Sequence, residues 1–183
     1  MKRFLIILFL FIVHQTYSQS IFMCTNGEVT FYSYGPIEDI DATSKSMNSI
    51  LNTSNSEIVF VVPMTSFKFK KALMQEHFNE KYVESDKYPN GTYKGKIIET
   101  IDYTKDGDFD ITSTGTLTIH GVEKAHTEKG KLNIKSGIIS IQSEFRVAIK
   151  DHKIEIPRLL MDNVADTVKV NFSATYAPYK KDK

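Results

Sequence analysis

The regular alternation of apolar and polar residues in the second half of the chain constrains its fold more than any other feature. In segment 139–150, apolar side chains at odd-numbered positions oppose Gln142, Glu144 and Arg146. Segments 109–120 and 168–176 alternate in the same way. A period of two residues is typical of a strand with one buried face. The sequence therefore predicts a series of strands, each with an apolar face that must be covered.

Short turns separate these strands. Asp106-Gly107, His120-Gly121 and Ser136-Gly137 are dipeptides that favour tight reversals of the chain. Seven or eight antiparallel strands joined in this way can bury their apolar faces in a sandwich or in a barrel. The succession of hairpins favours an up-and-down barrel, which also removes exposed strand edges.

One strong helix interrupts the strand pattern. Met74, Phe78 and Tyr82 follow one another at four-residue steps, which places them on one face of a helix over residues 70–83. Tyr88-Pro-Asn-Gly91 ends this helix, because proline cannot continue it and Asn-Gly favours a turn. A helix inserted between strands of a barrel has a natural place across one open end. We therefore predict a lid.

Three other segments give weaker signals. Residues 39–51 are polar and poorly patterned, and we interpret them as a curved edge strand or a loop. Ile154–Ile156 reads as a strand that follows a turn at Asp151-His152. Gly115 interrupts a predicted strand, which usually indicates a bend or the close approach of another group.

The first 18 residues have the features of an export signal. Lys2 and Arg3 precede an apolar run, and Thr16-Tyr-Ser18 resembles a cleavage site. The apolar run is about half the length that a membrane-spanning helix needs. The expected mature protein is a single domain, residues 19–183, that is periplasmic or secreted. Without Lys2 and Arg3 its formal charge changes from +1 to −1, and this near-neutral charge argues against nucleic acid as a partner.

Candidate residues for chemistry are few. His120 and His126 flank a turn, but no third ligand stands at metal-binding spacing, so we predict no metal site. We expect His120 to bond the backbone of its own turn, and His126 and His152 to be solvated. His77 lies beside the apolar face of the helix, where it either packs or contacts a ligand headgroup. Cys24 is the single cysteine, no catalytic constellation is recognisable, and the sequence predicts neither an enzyme nor a cofactor.

The aromatic residues admit two interpretations. Aromatic side chains can fill a small barrel completely, or they can line a tube that holds a ligand. The residues that would line such a tube and its lid are Phe31, Phe60, Phe69, Met74, His77, Phe78, Phe145 and Phe172. Alternation alone leaves both interpretations open.

Several segments together resemble the YceI family of exported lipocalin-like proteins. The family's signature stretches are similar to His77–Pro89 followed by Gly95, and to Gly115–Lys124. Phe31–Glu38, Ser143–Pro157 and Ala165–Val170 also fall in family order. The resemblance covers nearly all of the mature chain.

The resemblance implies an eight-stranded antiparallel barrel with an apolar lumen, which in characterised relatives holds a long-chain isoprenoid or another amphiphile. It thereby favours a tube over a solid barrel. The expected function is non-enzymatic binding, storage or transport of a polyisoprenoid or similar lipid. The alternative is a structural or interaction module of the cell envelope. Transient contact with a membrane and formation of a homodimer are both left open.

Overall fold

An antiparallel sheet that closes on itself forms the body of the protein. The computed structural model describes residues 20–35, 39–156 and 165–179. Its strands are β1 (Ile21–Tyr34), β2 (Asp39–Asn52), β3 (Glu57–Pro63), β4 (Lys68–Phe69), β5 (Asn90–Ile97), β6 (Gly107–Ile119), β7 (Val122–Lys135), β8 (Ile138–Ala148) and β9 (Thr167–Pro178). Around the barrel their order is β1, β9, β8, β7, β6, β5, β3 and β2, and β2 pairs with β1 to complete the ring. The predicted eight-stranded antiparallel barrel is confirmed.

The remaining strand and the helix lie at one end of this ring. The two residues of β4 pair with β2 at Ala42 and Thr43, beyond the part of β2 that pairs with β3. The helix α1 (Ala72–His77) follows, and a wider π-type turn, Phe78–Tyr82, extends it. The predicted lid over residues 70–83 is thus present, and it has two kinds of helical turn.

Two of the predicted tight turns have the backbone conformation that such turns require. His120 and Gly121 connect β6 to β7 with φ values of 51° and 68°. Ser136 and Gly137 connect β7 to β8 with φ values of 52° and 78°. Positive φ at both central residues matches the right-handed twist of the strands on either side. These turns hold the long strands β6, β7 and β8 in fixed register.

The interpretation of residues 39–51 as an edge strand or loop was wrong. They belong to β2, which pairs with β1 on one side and with β3 on the other. The buried positions change from even to odd along β2, from Ala42 and Ser44 to Met47 and Ser49. A bulge in the pairing with β1 falls at the same place, between Gly27 and its neighbours. Because a bulge exchanges the two faces of a strand, the alternation in the sequence is broken there.

The predicted strand at Ile154–Ile156 was also wrong. A 3₁₀ turn, Ile149–His152, follows β8, and Lys153 adopts a left-handed conformation with φ of 54°. The Ile154 amide donates to the Ile149 carbonyl at 3.2 Å, which reverses the chain within a few residues. Ile154 is buried against the barrel. The apolar residue is therefore explained by packing rather than by strand pairing.

The end of the barrel away from the lid is packed solid. Its fully buried side chains include Leu51, Leu132, Ile139 and Tyr176. The Tyr176 hydroxyl donates to Ser49 Oγ at 2.7 Å, and Ser49 Oγ donates to the Val59 carbonyl at 2.9 Å. Burial raises the pKa of the Tyr176 phenol. Burial of these side chains closes this end of the barrel, and the internal cavity of the described residues lies towards the lid.

Candidate ligand-binding cavity

An apolar cavity of about 480 Å³ lies inside the barrel beneath the lid. Its walls are the inward-facing side chains of the strands, for example Val29, Ile58, Leu117 and Val168. Pockets that hold small organic ligands have volumes of roughly 300–1,000 Å³ and mostly apolar walls. The barrel is therefore not filled by its own aromatic residues, and a chain-like apolar ligand has room in it.

All eight residues predicted to line a tube and its lid face this cavity. They are Phe31, Phe60, Phe69, Met74, His77, Phe78, Phe145 and Phe172. They come together because alternation along β1, β3, β8 and β9 points one set of side chains inward, while the lid contributes its inner face. That they contact a ligand remains a prediction.

Phe78 is the centre of an aromatic cluster under the lid. Its ring stacks on that of Phe31, with 5.5 Å between the centroids and 25° between the planes. The ring centroids of Phe67 and Phe69 lie 5.6 Å and 5.1 Å from that of Phe78. Aromatic pairs at such distances and tilts stabilise one another beyond the burial of their area. The cluster holds the helix against the barrel mouth.

A polar contact fixes the far end of the lid. Glu84 accepts a hydrogen bond from His120 Nε2 at 2.8 Å and forms an ion pair with Lys87. His120 Nδ1 lies 3.1 Å from the His152 carbonyl. Both ring nitrogens of His120 therefore lie within hydrogen-bond distance of an acceptor oxygen. Hydrogen bonds from Lys87 and His120 hold the pKa of the Glu84 carboxyl below its usual range.

Glu84→Gln is expected to loosen the lid. A carboxyl group with a lowered pKa contributes stability at neutral pH, and this contribution is lost as the pH falls through the lowered value. The neutral amide resembles the protonated acid, so we expect hydrogen–deuterium exchange of amides 84–88 to become several-fold faster at pH 7. Glu80→Gln, an exposed position in the same lid, is the control. Equal exchange rates in the two variants would contradict a role for Glu84 as the anchor.

Polar groups also face the cavity, at one level of its wall. The Tyr93 hydroxyl and Ser113 Oγ are hydrogen-bonded at 2.7 Å, and burial raises the pKa of Tyr93. His126 packs edge-on against Phe145, with 5.0 Å between the ring centroids, and burial lowers the pKa of its imidazole. Glu128 follows two residues later on the same face of β7. The cavity is thus apolar with a small polar region on one side.

Comparison with known proteins identifies the family of this barrel. The family model described as the YceI-like domain matches residues 15–176. The chain belongs to the YceI-like family. The resemblance inferred from the sequence is therefore confirmed. No curated protein sequence matches the chain.

Solved structures similar to this YceI-like protein share its fold. A polyisoprenoid binding domain from Saccharophagus degradans implicated in plant cell wall breakdown is 15% identical; the match covers 88% of this chain and 100% of that one, with a TM-score of 0.74. BcnA of Burkholderia cenocepacia is 14% identical over 82% of this chain and 96% of its own, with a TM-score of 0.68. A YceI protein of Campylobacter jejuni is 17% identical over 75% and 84%, with a TM-score of 0.57. At these identities the likeness establishes the fold alone.

The histidines of this YceI-like protein differ from expectation. His152 is buried rather than solvated, because the 3₁₀ turn packs on β7 and places its Nδ1 3.1 Å from the Val122 carbonyl. His126 is half-buried in the cavity wall, which also contradicts the solvated interpretation. His120 bonds Glu84 and the His152 carbonyl instead of the backbone of its own turn. His77 is half-buried and faces the cavity.

Other site types have little support in the part of the chain that the structure describes. Cys24 is buried in β1, away from solvent. Within ranges 20–35, 39–156 and 165–179, no three His, Cys, Asp or Glu side chains are grouped so as to hold a metal ion. Across the same ranges, no helix is long and apolar enough to span a membrane. The cavity is the feature on which a functional proposal can rest.

Proposed function

We propose that this protein binds the apolar chain of an isoprenoid or a similar amphiphilic lipid in its barrel cavity, and stores or transports it without catalysis. The observation that carries the proposal is the apolar cavity of about 480 Å³ under an aromatic lid. The polyisoprenoid binding domain from Saccharophagus degradans, which has the same fold, supports this ligand class. The predicted export signal, residues 1–18, lies outside the described residues, so an exported location is part of the proposal.

Burial of methylene groups would supply the affinity. Each CH₂ removed from water contributes about 0.8 kcal/mol, so ten buried groups contribute about 8 kcal/mol before the cost of ordering the chain and the ligand is subtracted. This attraction is not directional. The chain-binding part of the cavity should therefore accept tails of different chemistry but similar length.

Opening of the lid would let the ligand enter and leave the cavity. Phe78 and its aromatic neighbours cover the mouth, and Glu84 anchors the end of the lid to the β6–β7 turn. Opening of this segment would expose the cavity without disturbing the paired strands. Helix α1 lies beside β4, the two-residue strand outside the ring, and is not paired into the sheet. Its movement would therefore leave the strand pairing of the ring intact.

The first test is analysis of the lipid bound to the protein in its native host. We expect protein purified from that host, extracted with organic solvent and analysed by mass spectrometry, to yield one long-chain amphiphile in about equimolar amount. Protein heated and washed with detergent before extraction is the control. Recovery of no stoichiometric lipid, together with failure of long-chain alcohols to enter the cavity in vitro, would contradict the proposal and favour a structural module.

A further inference from the structure

The barrel wall separates between β7 and β8 on the side near the lid. The two strands pair from Lys135 and Ile138 to Gly130 and Ser143. Beyond that point β8 continues to Ala148 in register with β9, and β7 continues to Val122 in register with β6. The described register between β7 and β8 ends at Gly130, so among the described residues 122–129 are not paired with β8.

The cavity reaches the outer surface at this separation. A polar groove of about 590 Å³ lies on the outside of the barrel, and residues 129, 130, 143 and 172 line both the groove and the cavity. Ser143 Oγ donates to the Lys129 carbonyl at 2.6 Å, where the two strands begin to part. Phe145 and His126 face each other across the gap. Side chains rather than paired backbone therefore form the wall here.

Two polar atoms at this opening have capacity for a ligand. His126 Nε2 is buried and has no hydrogen-bond partner among the residues that the structure describes. Glu128 Oε2 is 3.6 Å from it, which is too long for a hydrogen bond. Glu128 Oε1 already accepts a bond from the Lys129 amide at 2.9 Å. A buried nitrogen without a partner calls for an explanation, and a ligand atom placed between Nε2 and Oε2 supplies one.

On the basis of the proposed function, we propose that the ligand's headgroup occupies the β7–β8 opening and is a hydroxyl group that donates a hydrogen bond to Glu128 and contacts His126 Nε2. An ionised carboxylate only accepts hydrogen bonds, so a donating group complements it. A phosphate would face the negative charge of Glu128 at close range. Alternation along β7 places Lys129, which is exposed, on the outer face, where it also lines the groove. The apolar tail would extend from this opening into the cavity, towards Phe60 and Phe172.

The test compares ligands that differ only in the headgroup. Displacement of a fluorescent apolar probe is measured with 1-hexadecanol, with its methyl ether, which has no donor, and with hexadecyl phosphate. We expect the alcohol to bind the unaltered protein about tenfold more tightly than the ether, and the phosphate to bind most weakly. Glu128→Leu should reduce the preference for alcohol over ether to about twofold or less. Glu123→Leu, at an exposed position on the same strand, should leave the preference unchanged.

A second variant guards against a folding defect in the first. Glu128→Gln keeps the size of the side chain and removes its charge, so hexadecyl phosphate should bind this variant several-fold more tightly than it binds the unaltered protein. Equal binding of alcohol and ether by the unaltered protein, or a preference unchanged in Glu128→Leu, would overturn the headgroup site and leave the lipid-binding proposal standing. Failure of all three ligands to displace the probe would overturn both.

Discussion

Gly115→Ala is expected to lower the free energy of unfolding by about 3 kcal/mol, the upper part of the range for overpacking a tight site. A Cβ atom at this position would lie 2.2 Å from the Lys94 carbonyl oxygen and 2.5 Å from Gly95 Cα. Both are backbone atoms of β5, in which Gly95 is the residue directly opposite Gly115, and they cannot swing away as a side chain can. Urea unfolding followed by circular dichroism measures the change.

Gly107→Ala is the matched control at the start of the same strand. A Cβ atom there would meet the ring of Phe109 at 3.2 Å, and this ring can rotate or shift. We expect a loss of less than about 1 kcal/mol. Similar losses in the two variants would show that the β5–β6 contact is not the tight point of the barrel.

The pair formed by Gly115 and Gly95 also shapes the cavity wall. The Tyr93 hydroxyl folds back over Gly95, where a Cβ atom would lie only 2.3 Å from it, and bonds Ser113 on the neighbouring strand. A side chain on Gly95 would push the Tyr93 ring into the cavity. The two glycines therefore let strands β5 and β6 approach closely and keep an aromatic ring flat against the wall.

The strands after the lid could be predicted from the sequence because their alternation is uninterrupted. In β6 and β8, inward positions such as Ile111, Leu117, Ile141 and Val147 keep one parity from end to end. β2 could not be predicted, since the bulge opposite Gly27 exchanges its faces and buries serines at positions that look exposed. Alternation of apolar and polar residues predicts a strand only where no bulge interrupts the pairing of that strand.

The sequence prediction named His77 and seven apolar residues that line the cavity, but it did not name His126 and Glu128, which also line it. Phe31, Phe145 and Phe172 could be predicted because each is an aromatic residue at an inward-facing position of an alternating strand. His126 and Glu128 share the parity of Leu132 and Ile134 on β7, so a usable signal was present. This shared parity does not by itself predict a cavity-facing position, because a charged residue is normally expected to face water. Neither the end of the β7–β8 pairing nor the cavity volume is encoded in any local pattern.

Val170→Trp is expected to weaken binding of a long-chain ligand about a hundredfold. Val170 faces the cavity on β9, opposite Phe31 of β1 and Phe145 of β8 in register. An indole placed between these rings would occupy the middle of the lumen and exclude three or four methylene groups of the ligand. At about 0.8 kcal/mol for each CH₂, this corresponds to roughly a hundredfold in the dissociation constant. Displacement of a fluorescent apolar probe by 1-hexadecanol measures it.

Thr175→Trp provides the control, because Thr175 is exposed on the outer face of the same strand. Thr175→Trp should bind 1-hexadecanol as the unaltered protein does. Each variant gains one tryptophan, so the two differ in where that side chain lies. A ligand held in the outer groove or on the lid surface would be bound equally well by both variants. Loss of affinity confined to Val170→Trp, with the variant still cooperatively folded, requires that the chain enter the barrel to the level of Phe31 and Phe145.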